Sequence, residues 1–317
     1  KQKQLCVLGR EIKRITQMPV TVLGRWAGQY AKPRSMTYDP LGHLAYHGDL
    51  IHDADAVGPP DVQRMLQGYA CAQSVLKSLK WPGQSMFSSH ECLVLPYERA
   101  MRRMSCECGP VNVGAHFLWL GLRSWDNTAL LEYMASITNP IGLKVGPDIS
   151  ADALYHRVMR LNPQHTSGRI VLITRVGDQQ VEQCLPVWIQ RLRALPFKVT
   201  WLCDPMHGNT YRDISGLKYR LYEEILSEIQ STYAVHAQYD SVCAGLHLEV
   251  TPDSGVQECV ETAPQNPRQY KSAMDPRLNA SQALSCVAAA GAFCNLSKGM
   301  VARGRIELPT RGFSVHC

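Results

Sequence analysis

At 317 residues the chain is longer than one small core requires and fits an α/β barrel, which commonly runs to about 250 residues or more as a single domain. Its 45% hydrophobic and 19% charged residues are those of a globular protein, and no stretch approaches the ~20 consecutive apolar residues of a spanning helix, so a membrane partner is not expected. The net charge of +6 favours anionic partners. The Lys and Arg residues stand singly rather than in runs, which argues against nucleic acid and for small phosphorylated molecules. The 12 cysteines are scattered, and the close pair Cys106 and Cys108 lacks zinc-ribbon spacing, so a reducing, cytoplasmic compartment is expected.

Along the chain, short apolar runs at residues 19–24, 86–89, 116–121, 141–145, 170–174, 198–203 and 245–250 read as strands. Residues 61–79, 152–161, 181–195 and 217–233 carry helical periodicity between them. Strands alternating with helices predict a parallel sheet with crossover helices. Residues 36–60, rich in Gly, Pro and Asp, read as a long loop over one barrel mouth. Residues 298–317 lack apolar periodicity and read as a disordered tail.

Nearly every run ends in polar or charged residues: Arg25, His90 and Glu91, Arg123, Lys144, Arg175, His207 and Glu249. The C-terminal ends of barrel strands carry the chemistry, so this recurrence is the first functional signal. The segment GRWAGQYAKPRS, residues 24–35, offers Arg25, Lys32, Arg34 and a hydroxyl on Ser35 beside a permissive glycine, an anion site by residue type. His207 follows one strand, Glu249 lies near the end of the next, and Asp275 stands beyond it. Imidazole plus two carboxylates suits a divalent ion such as Mn or Co. A lone His after a strand is more often a structural, hydrogen-bonded residue, so this pattern carries weight only together with others.

These segments resemble, in order, the signatures of class II (plant-type) 3-deoxy-D-arabino-heptulosonate 7-phosphate (DAHP) synthases: GRWAGQYAKPRS, SSHE, NPIGLKVGP, RIVLITRVG, WLCDPMHGNT, SGLKYR, GLHLEVT and DPRLN, between residue 24 and about 290. The wording of residues 244–253 leans toward the short branch associated with phenazine biosynthesis. The resemblance implies a TIM-type (β/α)8 barrel over residues 1–290, with residues 291–317 outside it, and the metal-dependent condensation of phosphoenolpyruvate with erythrose 4-phosphate, the first step of aromatic biosynthesis. Carried over by position, Arg25, Arg123, Lys144 and Arg175 would hold phosphoenolpyruvate, and Lys32, Arg34 and Ser35 the aldose phosphate. His207, Glu249 and Asp275 would bind the metal, with Lys32, His207 and Lys218 as catalytic candidates. A homo-oligomer is left open.

The match also has gaps. The family's first strand carries a Gly-Asp-Cys segment with a further metal ligand, and residues 1–17 hold only Cys6, in a helical context, so the barrel is expected to lack its first strand. Two open sheet edges would follow. The family's Gly-Glu-Arg-Thr-Arg is replaced by Gly121-Leu122-Arg123-Ser124-Trp125, losing an acid and a second Arg. The alternative reading is therefore an inactive copy that at most binds phosphorylated ligands, and an unrelated metal aldolase on the same barrel would not account for the KPRS segment.

Overall fold

The computed structural model describes residues 2–25, 31, 46–53, 59–79, 85–214, 216–262, 270–272, 275–301 and 313–316. All seven apolar runs form strands: β1 (Val20–Arg25), β2 (Ser85–Glu91), β3 (Phe117–Leu120), β4 (Ile141–Val145), β5 (Ile170–Thr174), β6 (Thr200–Cys203) and β7 (Cys243–His247). Their side chains are apolar on both faces: Leu118 and Leu120 of β3 turn to the helical layer, Phe117 and Trp119 to the interior. That is the pattern of strands buried on two sides. All neighbouring strands run parallel, and the sheet curls into a TIM-type α/β fold.

The crossover helices are α1 (Gln2–Thr16), α2 (Arg64–Ser78), α3 (Leu95–Ala100), α4 (Thr128–Ala135), α5 (Ala151–Leu161), α6 (Val181–Leu192), α7 (Tyr222–Gln238) and α8 (Ala280–Val301). Asn127 and Ser150 cap α4 and α5, each accepting from the backbone N–H three residues on. The main core lies between the sheet and α4 to α6 and includes Met134, Leu154, Val158, Leu185 and Trp188. A second cluster joins α1, α7 and α8 through Ile12, Ile229, Val287 and Ala290. The interior is closed by Leu23, Phe117, Trp119, Ile173 and Leu202.

Two boundaries differ from the sequence reading. Residues 218–221, expected as helix, form a short strand that pairs with Tyr211–Arg212 and Cys259–Val260, and α7 starts only at Tyr222. Tertiary pairing there overrides the helical periodicity. The strand expected at 245–250 ends at His247, and Val250 makes only an isolated bridge to Leu278. Most of 36–60 lies outside the described residues; within it, Leu50 packs with Tyr97 and Met101 beside α3.

The open edges expected beside β1 and β7 are not found. A strand β8 (Phe313–His316) runs parallel between them, pairing residues 20–23 of β1 and 245–247 of β7, and closes the ring. These four residues lie in the stretch that the sequence reads as a disordered tail. What makes them a strand is the seat itself: two parallel neighbours with unpaired ladder groups give a short segment of weak intrinsic preference a full set of backbone partners.

One buried group sets an acid-side stability limit. His236 on α7 is enclosed against Trp201, with Nδ1 2.9 Å from Ser241 Oγ, and burial pulls its pKa from 6.5 down to about 3. The unfolded chain therefore takes up this proton first as pH falls. Its contribution to stability is complete above about 6.5 and is lost progressively from there toward about 3. Replacing His236 by Phe is expected to flatten the dependence of the urea midpoint between pH 7 and 5; an unchanged slope would contradict this.

Candidate active site at the strand ends

The side chains converge where β4, β6 and β7 end. His207 follows β6, Glu249 follows β7, and Asp275 opens the segment leading to α8. Their ligand atoms all lie within 4.8 Å of one another, a group able to hold a metal ion, with His207 Nε2 3.3 Å from Glu249 Oε1. Each member is fastened by a different partner. His207 Nδ1 lies 2.8 Å from Asp204 Oδ2; Glu249 Oε2 accepts from Arg220 Nη1 at 2.7 Å; Asp275 Oδ1 accepts from Lys218 Nζ at 2.6 Å. Such outer partners fix the orientation of ligating groups.

Arg220 is fully buried and also reaches Thr210 Oγ1 at 3.0 Å and the Pro276 carbonyl, so one guanidinium ties the loops after β6 and β7 to the Asp275 segment. Glu258, equally enclosed, accepts from the backbone N–H groups of Lys271, Ser272 and Arg277 and from the Arg277 guanidinium. The Asp275 segment is thereby held at both ends.

Beside the triad lies a second cluster. Lys144 Nζ, at the end of β4, donates to Asp204 Oδ2 at 2.6 Å and lies 3.1 Å from His247 Nε2 and 3.4 Å from His207 Nδ1. Burial pushes the Asp204 carboxyl upward, but His207, and after it Lys144, hold it well below the usual carboxylate range. Asp204 also accepts the backbone N–H groups of Met206 and His207. His247 meets the face of Trp119 edge-on at 5.7 Å.

Arg175, after β5, donates from Nη2 to the His207 carbonyl at 2.6 Å. Arg25, at the end of β1, lies over Trp119 at 5.1 Å and 3.9 Å from Glu91 Oε2. Glu91 in turn lies against Gly121, where a Cβ would come within 2.3 Å of its Oε1. Glu91 thus sits on the site side of β2, whereas His90 faces the helical layer, hydrogen bonded to buried Glu98 at 2.7 Å. Arg123 is exposed, in a turn after β3, Leu122–Ser124, whose Ser124 is buried. Trp125, which stands where the signature has a second Arg, is buried in the outer core under the Arg157 guanidinium. Lys32, Arg34 and Ser35 lie outside the described residues.

Of the residues chosen from sequence, the structure gathers His207, Glu249, Asp275, Lys144 and Lys218 into one contact network, with Arg175 joined to the His207 backbone. It adds Asp204, His247, Arg220 and Glu258, which the sequence reading missed. Asp204 lay one residue beyond an apolar strand and three before His207, His247 two residues before Glu249 and Arg220 two after Lys218, signals that were available; Glu258 is brought in by long-range packing.

A curled parallel α/β sheet whose strand ends carry a His–carboxylate group and several cations has the arrangement of a barrel enzyme. The Class-II DAHP synthetase family matches residues 2–85 and 78–290, and the chain belongs to this family. It is 38% identical over 305 residues to a probable phospho-2-dehydro-3-deoxyheptonate aldolase of Pseudomonas fluorescens, covering 90% of this chain and 76% of that one. It is 33% identical to the phospho-2-dehydro-3-deoxyheptonate aldolase AroG of Mycolicibacterium smegmatis (84% and 72% covered), and 31% identical to the Streptomyces coelicolor enzyme of that name (90% and 78%). The solved phospho-2-dehydro-3-deoxyheptonate aldolase of Francisella tularensis shares the fold, with TM-score 0.57 at 12% identity, covering 93% of this chain and 92% of that one. Among the described residues no helix is long and apolar enough to cross a membrane.

Proposed function

We propose that this chain is a 3-deoxy-7-phosphoheptulonate synthase, condensing phosphoenolpyruvate with erythrose 4-phosphate in the cytoplasm, with residues 1–290 as the catalytic unit, seven strands of a barrel whose eighth is Phe313–His316. The observation that carries the reading is the triad of His207, Glu249 and Asp275, each member fastened by its own partner, beside Lys144 and Arg175. One imidazole and two carboxylates fit Mn or Co. A metal held there would act as a Lewis acid toward the aldehyde carbonyl.

The chain's own residues supply the rest. Arg25, Lys144 and Arg175, with Arg123 from its turn, would receive the phosphate and carboxylate of phosphoenolpyruvate; Lys32, Arg34 and Ser35 would receive the aldose phosphate. Two polyanions repel each other, and a ring of cations offsets that repulsion while fixing the reacting carbons in contact. The methylene carbon of phosphoenolpyruvate bonds to the aldehyde carbon as the carbonyl π pair moves to its oxygen, which takes up a proton; water adds to the neighbouring carbon and gives up a proton, and the bond from that carbon to the phosphate oxygen breaks, releasing phosphate. Lys144 Nζ, between Asp204 and His247, can hold a proton beside these atoms, and Lys218 keeps Asp275 turned inward.

The test is phosphate release by the purified chain with Mn(II). One phosphate per phosphoenolpyruvate consumed is expected, only when erythrose 4-phosphate is also present. Consumption without the aldose phosphate, or none with both, would overturn the reading. A second reading, a copy that binds without turning over, draws on the exposure of Arg123 and the inward packing of Trp125. It predicts phosphoenolpyruvate binding with no phosphate released.

A further inference from the structure

Glu228, on the second turn of α7, is completely buried although no catalytic role requires it. Its Oε1 accepts the backbone N–H groups of Val176 and Gly177 at 3.2 and 3.3 Å, and its Oε2 accepts from Asn209 Nδ2 at 2.8 Å. Asn209 Nδ2 also donates to the Pro205 carbonyl, and its Oδ1 accepts from the Asp178 N–H. One carboxylate and one amide therefore join the loop after β5 to the loop after β6. The first loop carries Arg175; the second carries His207.

The two loops also touch directly. A Cβ on Gly208 would lie 2.2 Å from the Gly177 nitrogen, so the backbones meet with no room for a side chain, and Arg175 Nη2 donates across the same seam to the His207 carbonyl. Burial, and after it the Asp204 charge, push the Glu228 carboxyl up to about 8, and the donors on both loops work against that shift, so the enclosed group is held only with its oxygens satisfied. Its position has a geometric consequence. Whatever sets the separation of these loops sets the distance from the Arg175 guanidinium to the triad, and a displacement of ~1 Å in such a cradle can cost on the order of 100-fold in rate.

We propose that Glu228, through Asn209, is a positioning residue that sets where Arg175 stands relative to His207, and so governs binding of phosphoenolpyruvate. This rests on the reading of Arg175 as a phosphoenolpyruvate ligand given above. Glu228→Gln keeps the size but turns an amide donor toward one of the donors, so one bond of the clasp is lost. Gly208→Ala leaves Glu228 intact and wedges the same seam open from the other side.

Calorimetric titration of phosphoenolpyruvate and of erythrose 4-phosphate, with far-UV circular dichroism to establish folding, separates the outcomes. Both variants are expected to weaken phosphoenolpyruvate binding by ~10-fold or more, in the range typical of groups that orient a ligand-holding residue, with aldose phosphate binding within about 2-fold of the parent. KM for phosphoenolpyruvate should rise more than kcat falls. Unchanged phosphoenolpyruvate affinity in folded Gly208→Ala, or equal weakening of both substrates, would overturn the proposal and leave Glu228 a core residue only. If Glu228→Gln fails to fold, the Gly208→Ala result alone decides. A parent chain that binds no phosphoenolpyruvate would instead refute the functional reading beneath it.

Discussion

Asp204→Asn is expected to destabilise the fold by about 3–5 kcal/mol, the scale for breaking a buried ion pair from one side, and to lower kcat by about 100-fold or more. The amide keeps the size of the carboxylate but presents a donor to Lys144 Nζ, which now finds an acceptor 2.6 Å away in a site only 6% exposed. The same change replaces one of the two oxygens that face His207 Nδ1 with an amide donor and removes the charge that holds the ring. The two effects can be separated. In Asp204→Asn with Lys144→Met the buried charge is gone, so stability should recover toward the parent, because no uncompensated charge is left enclosed; activity should stay lost, because the Lys144 cation is missing from the site. Urea unfolding and phosphate release on the three proteins check this. A single mutant as stable and as active as the parent would contradict the account of Asp204.

Removing residues 302–317 is expected to lower stability by a few kcal/mol and to promote aggregation. The seven register pairs that Phe313–His316 makes, four with β1 and three with β7, represent several ladder hydrogen bonds at roughly 0.5–1.5 kcal/mol net each. Without them, two parallel edges lie bare and available to other chains. A thermal midpoint within about 1 °C of the parent and an unaltered monomer fraction in light scattering would contradict barrel closure by this segment. Hydrogen exchange offers a finer test: residues 20–23 and 245–247 should lose protection in the shortened chain, while β4 and β5 keep theirs.

The contrast between these two regions shows what the sequence could carry. The strands β3 to β6 were legible because each is a short apolar run bounded by polar residues, and such runs in parallel sheets are buried on both faces. His207 and Glu249 could be singled out because each comes just after an apolar run, whereas Asp275 joins them through the resemblance and, in the structure, through the fold. Phe313–His316 was not, since its alternation of apolar and polar residues runs for only four positions, and the seat between β1 and β7 makes them a strand. Residues 218–221 misled for the opposite reason: the helical pattern of α7 extends backward through them, but they are drawn off by pairing with residues 211–212 and 259–260.

In the site, legibility followed distance along the chain. Asp204 was within reach, three residues from His207. Arg220 reaches Pro276 and Glu249 across separations of 56 and 29 residues, and Glu258 holds the Arg277 guanidinium 19 residues on; no local pattern announces such contacts. His90 ended a run as the site residues do, yet alternation along β2 turns it to Glu98 in the helical layer and brings Glu91 to the Arg25 side.

The most direct measurement is phosphate release from phosphoenolpyruvate and erythrose 4-phosphate by chain stripped with a chelator, before and after Mn(II) is added back, for the parent and for His207→Ala. Activity that returns with Mn(II) in the parent and stays absent in His207→Ala is the expected result. Full activity in the stripped protein, or equal recovery in His207→Ala, would contradict a metal-dependent synthase built on His207, Glu249 and Asp275.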